Sequence, residues 1–486
     1  MIYRLRPYQE DCVKSISDYI NSDRRDPVLI VAPVAAGKSI LIAEAARLMG
    51  DKTLVLQPSR ELLTQNHDKI TSYGIPATIY SASCGKKELS NMIYATLGSI
   101  KKVVGQLKEM GIRNVLIDEA HAGYSPEDGS EFMTFMNELK PRKVIGFTAT
   151  PCRLKNMSIG QTSYSQLNFI TRMRPVYFKN LIHVIQVEEM IRQGFWTPLK
   201  YETWDFNGDA LKLNSNGSEY TAESISEAVR KNGLNNLILR RLMVLKDVCR
   251  SILVFMDSVE SCNTAAEWMN AKICAGMAEV VHGGTPKKQR EAIVEGFKSG
   301  KTKVVFNYSA LGTGFDHPGL DCVIVGRPTF SFSSFYQWLG RAVRIKDGKD
   351  SALVVDCCNN SSRFGDIRKL SIENYKGYGW GMFIGDKLIT NIPMGDKVTK
   401  TDLDIKAAKK DRRRGLAQGV TAAPVPGRPD HPLGSTVMTF GKYCGWMFHS
   451  IPVSYFKFIN ETFDWDNDRN KDIKEYIDFL IKNNRL

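Results

Sequence analysis

Two short runs in the first third of the chain carry residue types suited to holding and cutting a phosphate chain. The first is VLIVAPVAAGKSILIAEAARL (28–48), an apolar run that enters a turn ending Gly37-Lys38-Ser39 and continues at once as a helix-forming segment. A helix that starts on such a turn aims backbone N–H groups and the positive end of its dipole at an anion. Lys38 is placed to meet the β- and γ-phosphates of a nucleotide, and the Ser39 hydroxyl to bind Mg²⁺. Ala35, Ala36, Gly37 and Ile40 complete the expected nucleotide contacts. Ala32 stands where the common loop has its first glycine, and Ala35 replaces another, which should stiffen the loop. The ordinary alternative is a plain strand–turn–helix with a solvated lysine.

The second run is VLIDEAHAG (115–123), in which two adjacent carboxylates end an apolar strand. Two such charges are costly there unless a metal or a cation meets them. Asp118 is expected to hold Mg²⁺ through water, and Glu119 to orient and deprotonate an attacking water. A capped helix start is the ordinary alternative.

These side chains need a scaffold, and the apolar pattern supplies one. Short β-branched runs recur at 27–32, 53–57, 114–118 and 143–149, and again at 251–256, 302–307, 321–326 and 351–356. Runs of this length suit strands buried on both faces of a parallel sheet, with the intervening helical stretches as crossovers. Each series predicts one doubly wound α/β lobe. The expected division is 1–195 for the first lobe, 196–235 for a polar inter-lobe insertion and 236–360 for the second lobe. Residues 361–435 are expected to form an extension and basic flexible linker, and 436–486 a small terminal domain. The linker reading rests on KVTKTDLDIKAAKKDRRR (397–414) and the Gly/Pro-rich stretch after it. The terminal reading rests on Phe440, Tyr443, Trp446, Phe448, Tyr455 and Phe456.

GKS (37–39), DEAH (118–121) and GFTATP (146–151) together, in that order, resemble the superfamily 2 helicases of the DEAD/DEAH-box kind. The resemblance runs from about residue 3 to 358 and implies two tandem RecA-like lobes that use ATP and Mg²⁺. RPYQ (6–9) looks like the adenine-recognising motif, with Arg6 and Gln9 as contacts. QPSRELLTQ (57–65) and YATLGS (94–99) look like motifs that touch the nucleic-acid backbone, through Pro58, Ser59, Arg60, Gly98 and Ser99. In the second lobe SILVFMDSVE (251–260), ALGTGFDHP (310–318) and QWLGRAVR (337–344) look like motifs IV, V and VI. The resemblance then implies strand contacts at Asp257 and Thr313, and nucleotide contacts at Gly314 and Asp316. It implies that Arg341 and Arg344 cross the cleft to the γ-phosphate, and that His121, Thr148, Thr150 and Gln337 couple ATP use to movement. DEAH and TAT look closer to DNA-remodelling members, including phage-type branch-migrating enzymes, than to RNA-box members, so DNA is the expected track and RNA the alternative. A duplex translocase that does not unwind, and a binding protein with a relic nucleotide site, are the two rivals to a helicase.

Bulk composition agrees with these readings. The 486 residues are 43% apolar and carry a formal net charge of +14, as a partner of a polyanion would, with a surface basic only for solubility as the ordinary alternative. The ten cysteines include no CxxC pair, which argues against a zinc ribbon and a disulfide framework. The charged N-terminus and the absence of a long apolar run lead to the expectation of a cytoplasmic protein with no membrane partner, and the resemblance to phage-type helicases implies a monomer on its track in a bacterium or a phage-infected host.

Overall fold

All eight apolar runs form strands of two parallel sheets. The computed structural model describes residues 4–159, 162–311, 315–375, 378–394, 396–407, 432–438, 443, 446–462 and 471–483. The strands, in chain order, are β1 Val28–Val31, β2 Thr53–Leu56, β3 Thr78–Ser81, β4 Lys86–Lys87, β5 Met92–Ala95, β6 Asn114–Ile117, β7 Lys143–Thr148, β8 Cys152–Ile159, β9 Thr162–Phe169 and β10 Asn180–Val184. They continue as β11 Leu199–Thr203, β12 Ile252–Phe255, β13 Ala278–His282, β14 Val304–Tyr308, β15 Cys322–Val325, β16 Ala352–Asp356, β17 Leu370–Tyr375, β18 Gly379–Ile384, β19 Lys387–Leu388 and β20 Val398–Thr399.

The first sheet has the order β10-β1-β7-β6-β2-β5-β3-β4, parallel except for the edge pair β3–β4. Every residue of β1, β2, β5, β6 and β7 is buried, which explains why their sequences read as unbroken apolar runs rather than alternations. The second sheet, β11-β16-β15-β12-β14-β13, is parallel throughout. Both lobes belong to one compact unit, residues 1–375 and 379–398.

Two expected boundaries are corrected. The second sheet begins inside the presumed insertion 196–235, because β11 pairs with β16 along its whole length. Its sequence, LKYET, is a half-buried edge strand whose polar residues hid it among loop residues. The extension does not begin as a flexible linker either. β17, β18 and β19 form an antiparallel meander, and Leu370, Ile372, Met382 and Ile384 join the main core. Arg368 fastens this meander by donating from Nη1 to the Leu199 carbonyl (2.9 Å). Residues 408–431, which hold the end of the basic stretch and most of the Gly/Pro-rich run after it, lie outside the described residues.

A second unit, residues 376–378 and 399–486, has its own core. Phe448, Ile451, Phe456 and Ile459 pack there with Ile473, Tyr476, Ile477 and Leu480 from the helix Lys471–Lys482. Phe448 and Phe456 are therefore core residues as their density implied, whereas Trp446 is exposed and Phe440 lies outside the described residues.

Candidate nucleotide cleft and inter-lobe relay

Helix α1 is Pro7–Asn21, and the turn after β1 opens helix α2, Lys38–Met49, with Gly37 as its cap in the left-handed region (φ 80°). A side chain at Gly37 would be strained there, and its Cβ would lie 2.5 Å from Gln9 Nε2. That amide instead reaches the loop, donating to the Ala36 carbonyl (2.8 Å), while its Oε1 accepts from the Arg6 N–H (3.0 Å). The Tyr8 hydroxyl donates to the same Ala36 carbonyl (3.3 Å). Gln9 and Tyr8 thus brace the loop from behind at Ala36, and Arg6 projects into the cleft with its guanidinium 4.6 Å from the Phe195 ring centre. Ala35 is itself left-handed (φ 65°), so the departure from glycine stores strain on the order of 1–3 kcal/mol in the loop.

Lys38 Nζ lies 2.8 Å from Asp118 Oδ1 and also pairs with Glu119. Burial pushes the lysine pKa down, but the two carboxylates outweigh it and hold the ammonium above its usual range. Burial, opposed by Lys38 and assisted by Glu119, raises Asp118. The other Asp118 oxygen, Oδ2, accepts from Asn66 Nδ2 (3.0 Å) on helix α3, Arg60–Thr71. The sequence offered no sign of that contact, because it joins residues 52 positions apart. Glu119 is left-handed (φ 47°), a strained setting typical of functional turns.

The cleft of about 310 Å³ has walls from both lobes. Ala35, Gly37, Lys38, Ser39, Ile40 and Glu119 face it from the first, and Asp316, Gln337, Arg341 and Arg344 from the second. Phe195, which the motifs did not single out, lines it, and Trp196 donates from Nε1 to the Val34 carbonyl (2.9 Å). Burial and the neighbouring Arg344 push Arg341 down to about 9, while Glu119 across the cleft and Asp316 oppose this. Arg341 Nη1 donates to the Phe315 carbonyl (2.6 Å), and Arg344 pairs with Asp316. Lobe apposition is close enough that an added Cβ on Gly340 would sit 2.6–2.8 Å from three atoms of Val34. Gly314 and Thr313 lie outside the described residues.

Among the described residues no group of three or more His, Cys, Asp or Glu could hold a metal. The donors here are the Ser39 hydroxyl and one Asp118 carboxylate, hard oxygens that fit Mg²⁺ when phosphate oxygens and water complete its shell. Such an ion would supply neutralising charge to the phosphates.

A hydrogen-bonded relay runs from the turn at Glu119 into the second lobe. His121 Nδ1 lies 2.8 Å from Thr148 Oγ1, and its Nε2 3.2 Å from Thr150 Oγ1. Thr150 Oγ1 is in turn 2.6 Å from Ser333 Oγ, on the second-lobe helix Phe332–Leu339. Burial, Lys38 and Arg153 depress His121 to about 3, so the ring is neutral and can both donate and accept. Ser333 was not singled out by sequence, where it reads as one more serine at a helix start. Gln337, on the same helix, lines the cleft rather than joining the relay.

The residues expected to touch a strand divide. Pro58, Ser59 and Arg60 follow β2, and Gly98 and Ser99 follow β5, its neighbour in the sheet, so both groups share one carboxyl edge. Pro58 and Gly98 are exposed there, while Ser59 caps α3 and Ser99 accepts from the Ala82 N–H (3.0 Å). Asp257 does not belong with them. It is buried and accepts from the Ser226 hydroxyl (3.2 Å).

Comparison with known proteins agrees with this arrangement. Residues 2–153 match the model of the type III restriction enzyme res subunit, and 235–346 that of the helicase conserved C-terminal domain. A 51.5 kDa protein of Lactococcus phage (isolate 7-9) is 25% identical over 332 residues, covering 68% of this chain and 65% of the relative. The ATP-dependent DNA helicase Hel308 of Pyrococcus horikoshii is 26% identical over 377 residues, covering 69% of this chain and 49% of the relative. The chain thus spans less than two thirds of these relatives' length. The solved ATP-dependent Type ISP restriction-modification enzyme LlaBIII bound to DNA shares the fold, with a TM-score of 0.54 at 15% identity over 86% of this chain and 30% of that one. With two parallel α/β lobes, a cleft lined from both and these two family models in order, the chain belongs to the superfamily 2 helicases.

Proposed function

We propose that this protein is an ATP-dependent DNA helicase or translocase that remodels duplex or branched DNA. The observation that carries the reading is the cleft in which Lys38 and Glu119 face Arg341 and Arg344 from the opposite lobe. ATP entering it draws Lys38 from the carboxylates to the phosphates. Glu119 is then able to take a proton from the water that attacks the γ-phosphorus, and ADP leaves as the other product. The second-lobe arginines meet the charge that develops during transfer, so hydrolysis is favoured only while the lobes are together. Opening after phosphate release and closing on new ATP move the two lobes' strand contacts relative to each other.

DNA is favoured over RNA by the DEAH and TAT forms of two motifs, and by the name of the Pyrococcus horikoshii relative. Contacts to backbone phosphates make sequence preference weak. Among the described residues no helix is long and apolar enough to cross a membrane. The test is phosphate release by the wild type and Lys38→Ala with single-stranded, duplex and forked DNA, a Holliday junction and RNA, alongside unwinding and triplex-displacement assays. Strongest stimulation by a DNA form, lost in Lys38→Ala, supports the proposal. Strongest stimulation by RNA, or none by any nucleic acid, overturns it. Triplex displacement without unwinding identifies a translocase that leaves the strands paired.

A further inference from the structure

The strained turn at Glu119 is gripped from outside itself. Arg153, the second residue of β8, donates from Nε to the His121 carbonyl (2.6 Å) and from Nη2 to the carbonyls of Ala120 (3.2 Å) and Tyr124. A guanidinium fork satisfies several carbonyls in one plane, which a flexible ammonium does less well. A left-handed glutamate persists only where its surroundings over-determine it, and these three carbonyls lie within the five residues that follow it. Arg153 is half-buried and does not line the nucleotide cleft.

The hairpin that Arg153 roots, β8–β9, reaches the stretch after β19 and, through Gly217, the segment that docks on the second lobe. The carbonyls of Leu167 and Ser165 accept from the N–H groups of Asn391 (2.6 Å) and Met394 (2.8 Å), and Asn391 Oδ1 accepts from the Phe169 N–H (3.1 Å). The Ser165 hydroxyl donates to the Gly217 carbonyl (3.3 Å). Two residues on, the Glu219 carboxylate accepts from the Thr329 hydroxyl (2.5 Å) and the Phe330 N–H (2.7 Å), just ahead of the helix that carries Ser333 and Gln337. The hairpin thus forms a second cross-lobe route, separate from the Thr150–Ser333 contact.

We propose that Arg153 is a positioning residue for hydrolysis, clamping the turn that aims Glu119, and that the hairpin it roots links this clamp through Glu219 to the second lobe. The inference rests on the ATPase reading above. The test compares Arg153→Ala, Arg153→Lys, Glu219→Ala and the double Arg153→Ala/Glu219→Ala variant in DNA-stimulated ATP hydrolysis, with amide hydrogen exchange over residues 119–124. A misplaced catalytic group costs turnover more than binding, so Arg153→Ala should lose about 10- to 100-fold in kcat while KM for ATP stays within about twofold. Arg153→Lys recovers part of the loss and, if the alanine variant does not fold, is read by the same split. The double variant should fall no further than Arg153→Ala alone, because both break one link. Unchanged kcat, or a rise confined to KM, overturns the clamp, and additive losses overturn the link. Exchange over 119–124 should quicken in Arg153→Ala whether or not turnover is detected, and unchanged exchange also overturns the clamp. A wild type without DNA-stimulated turnover refutes the ATPase reading instead, leaving exchange to decide the role of Arg153.

Discussion

Gly340→Ala isolates lobe closure from folding. Gly340 has φ −59° and ψ −14°, ordinary right-handed backbone that alanine adopts freely, so the second lobe should be as stable as before. The new Cβ, however, would lie 2.6 Å from Val34 Cβ and 2.7 and 2.8 Å from its two methyl carbons. Carbon atoms rest at roughly 3.5–4.0 Å, so the lobes must part by about 1 Å at this point or the loop must move. Overpacking of this kind costs about 1–3 kcal/mol. Incurred only in the apposed state, that cost lowers kcat/KM for ATP by roughly 5- to 150-fold. Val34→Gly removes all three obstructing atoms, so the double variant should recover most of the loss. The assay is DNA-stimulated phosphate release for the four members of the double-mutant cycle, with thermal unfolding as the folding control. Wild-type kcat/KM in Gly340→Ala, or losses that simply add in the double variant, would refute the reasoning.

Two further outcomes are expected. Ser333→Ala removes the second-lobe end of the relay, so unwinding per ATP should fall by about 2- to 10-fold with KM for ATP unchanged; Thr148→Ala should act in the same direction, and equal loss of ATP binding and unwinding in either variant would count against the relay. His121 is held at about 3 against an ordinary 6.5. A depressed histidine favours the fold above its unfolded pKa, and that contribution is lost as pH falls from about 6.5 toward 3, reaching about 2 kcal/mol near pH 5. Denaturant unfolding from pH 7 to 5 should therefore show a slope that His121→Gln flattens by up to about one proton; an unaltered slope would show that the buried ring is not what titrates.

Much of this architecture can be read from the residues, for identifiable reasons. Strands buried on both faces carry unbroken apolar runs, and all eight such runs appear in the two sheets. The phosphate loop and the DEAH turn are legible because their chemistry needs adjacent residues in one short segment. What escapes is chemistry assembled across the fold. Asn66, Phe195, Ser333 and Arg153 matter through partners distant in sequence or in another element, and each has an ordinary local explanation. β11 escapes because an edge strand with one polar face reads like loop. β17–β19 escape because their short alternating strands carry no motif and run into a basic stretch that reads as linker. The burial of Asp257 escapes because motif position alone does not tell whether a carboxylate faces solvent.

The most direct test of the two-lobe cleft is single-turnover ATP hydrolysis by Arg341→Ala on DNA, measured beside its affinity for ADP. Arg341 faces Glu119 from the opposite lobe. A guanidinium that meets charge developing in phosphoryl transfer is worth on the order of 10³-fold in rate, so the hydrolytic step should slow by about that factor while ADP affinity stays close to wild type. Hydrolysis at the wild-type rate, or a loss matched by an equal loss of ADP binding, would contradict the account.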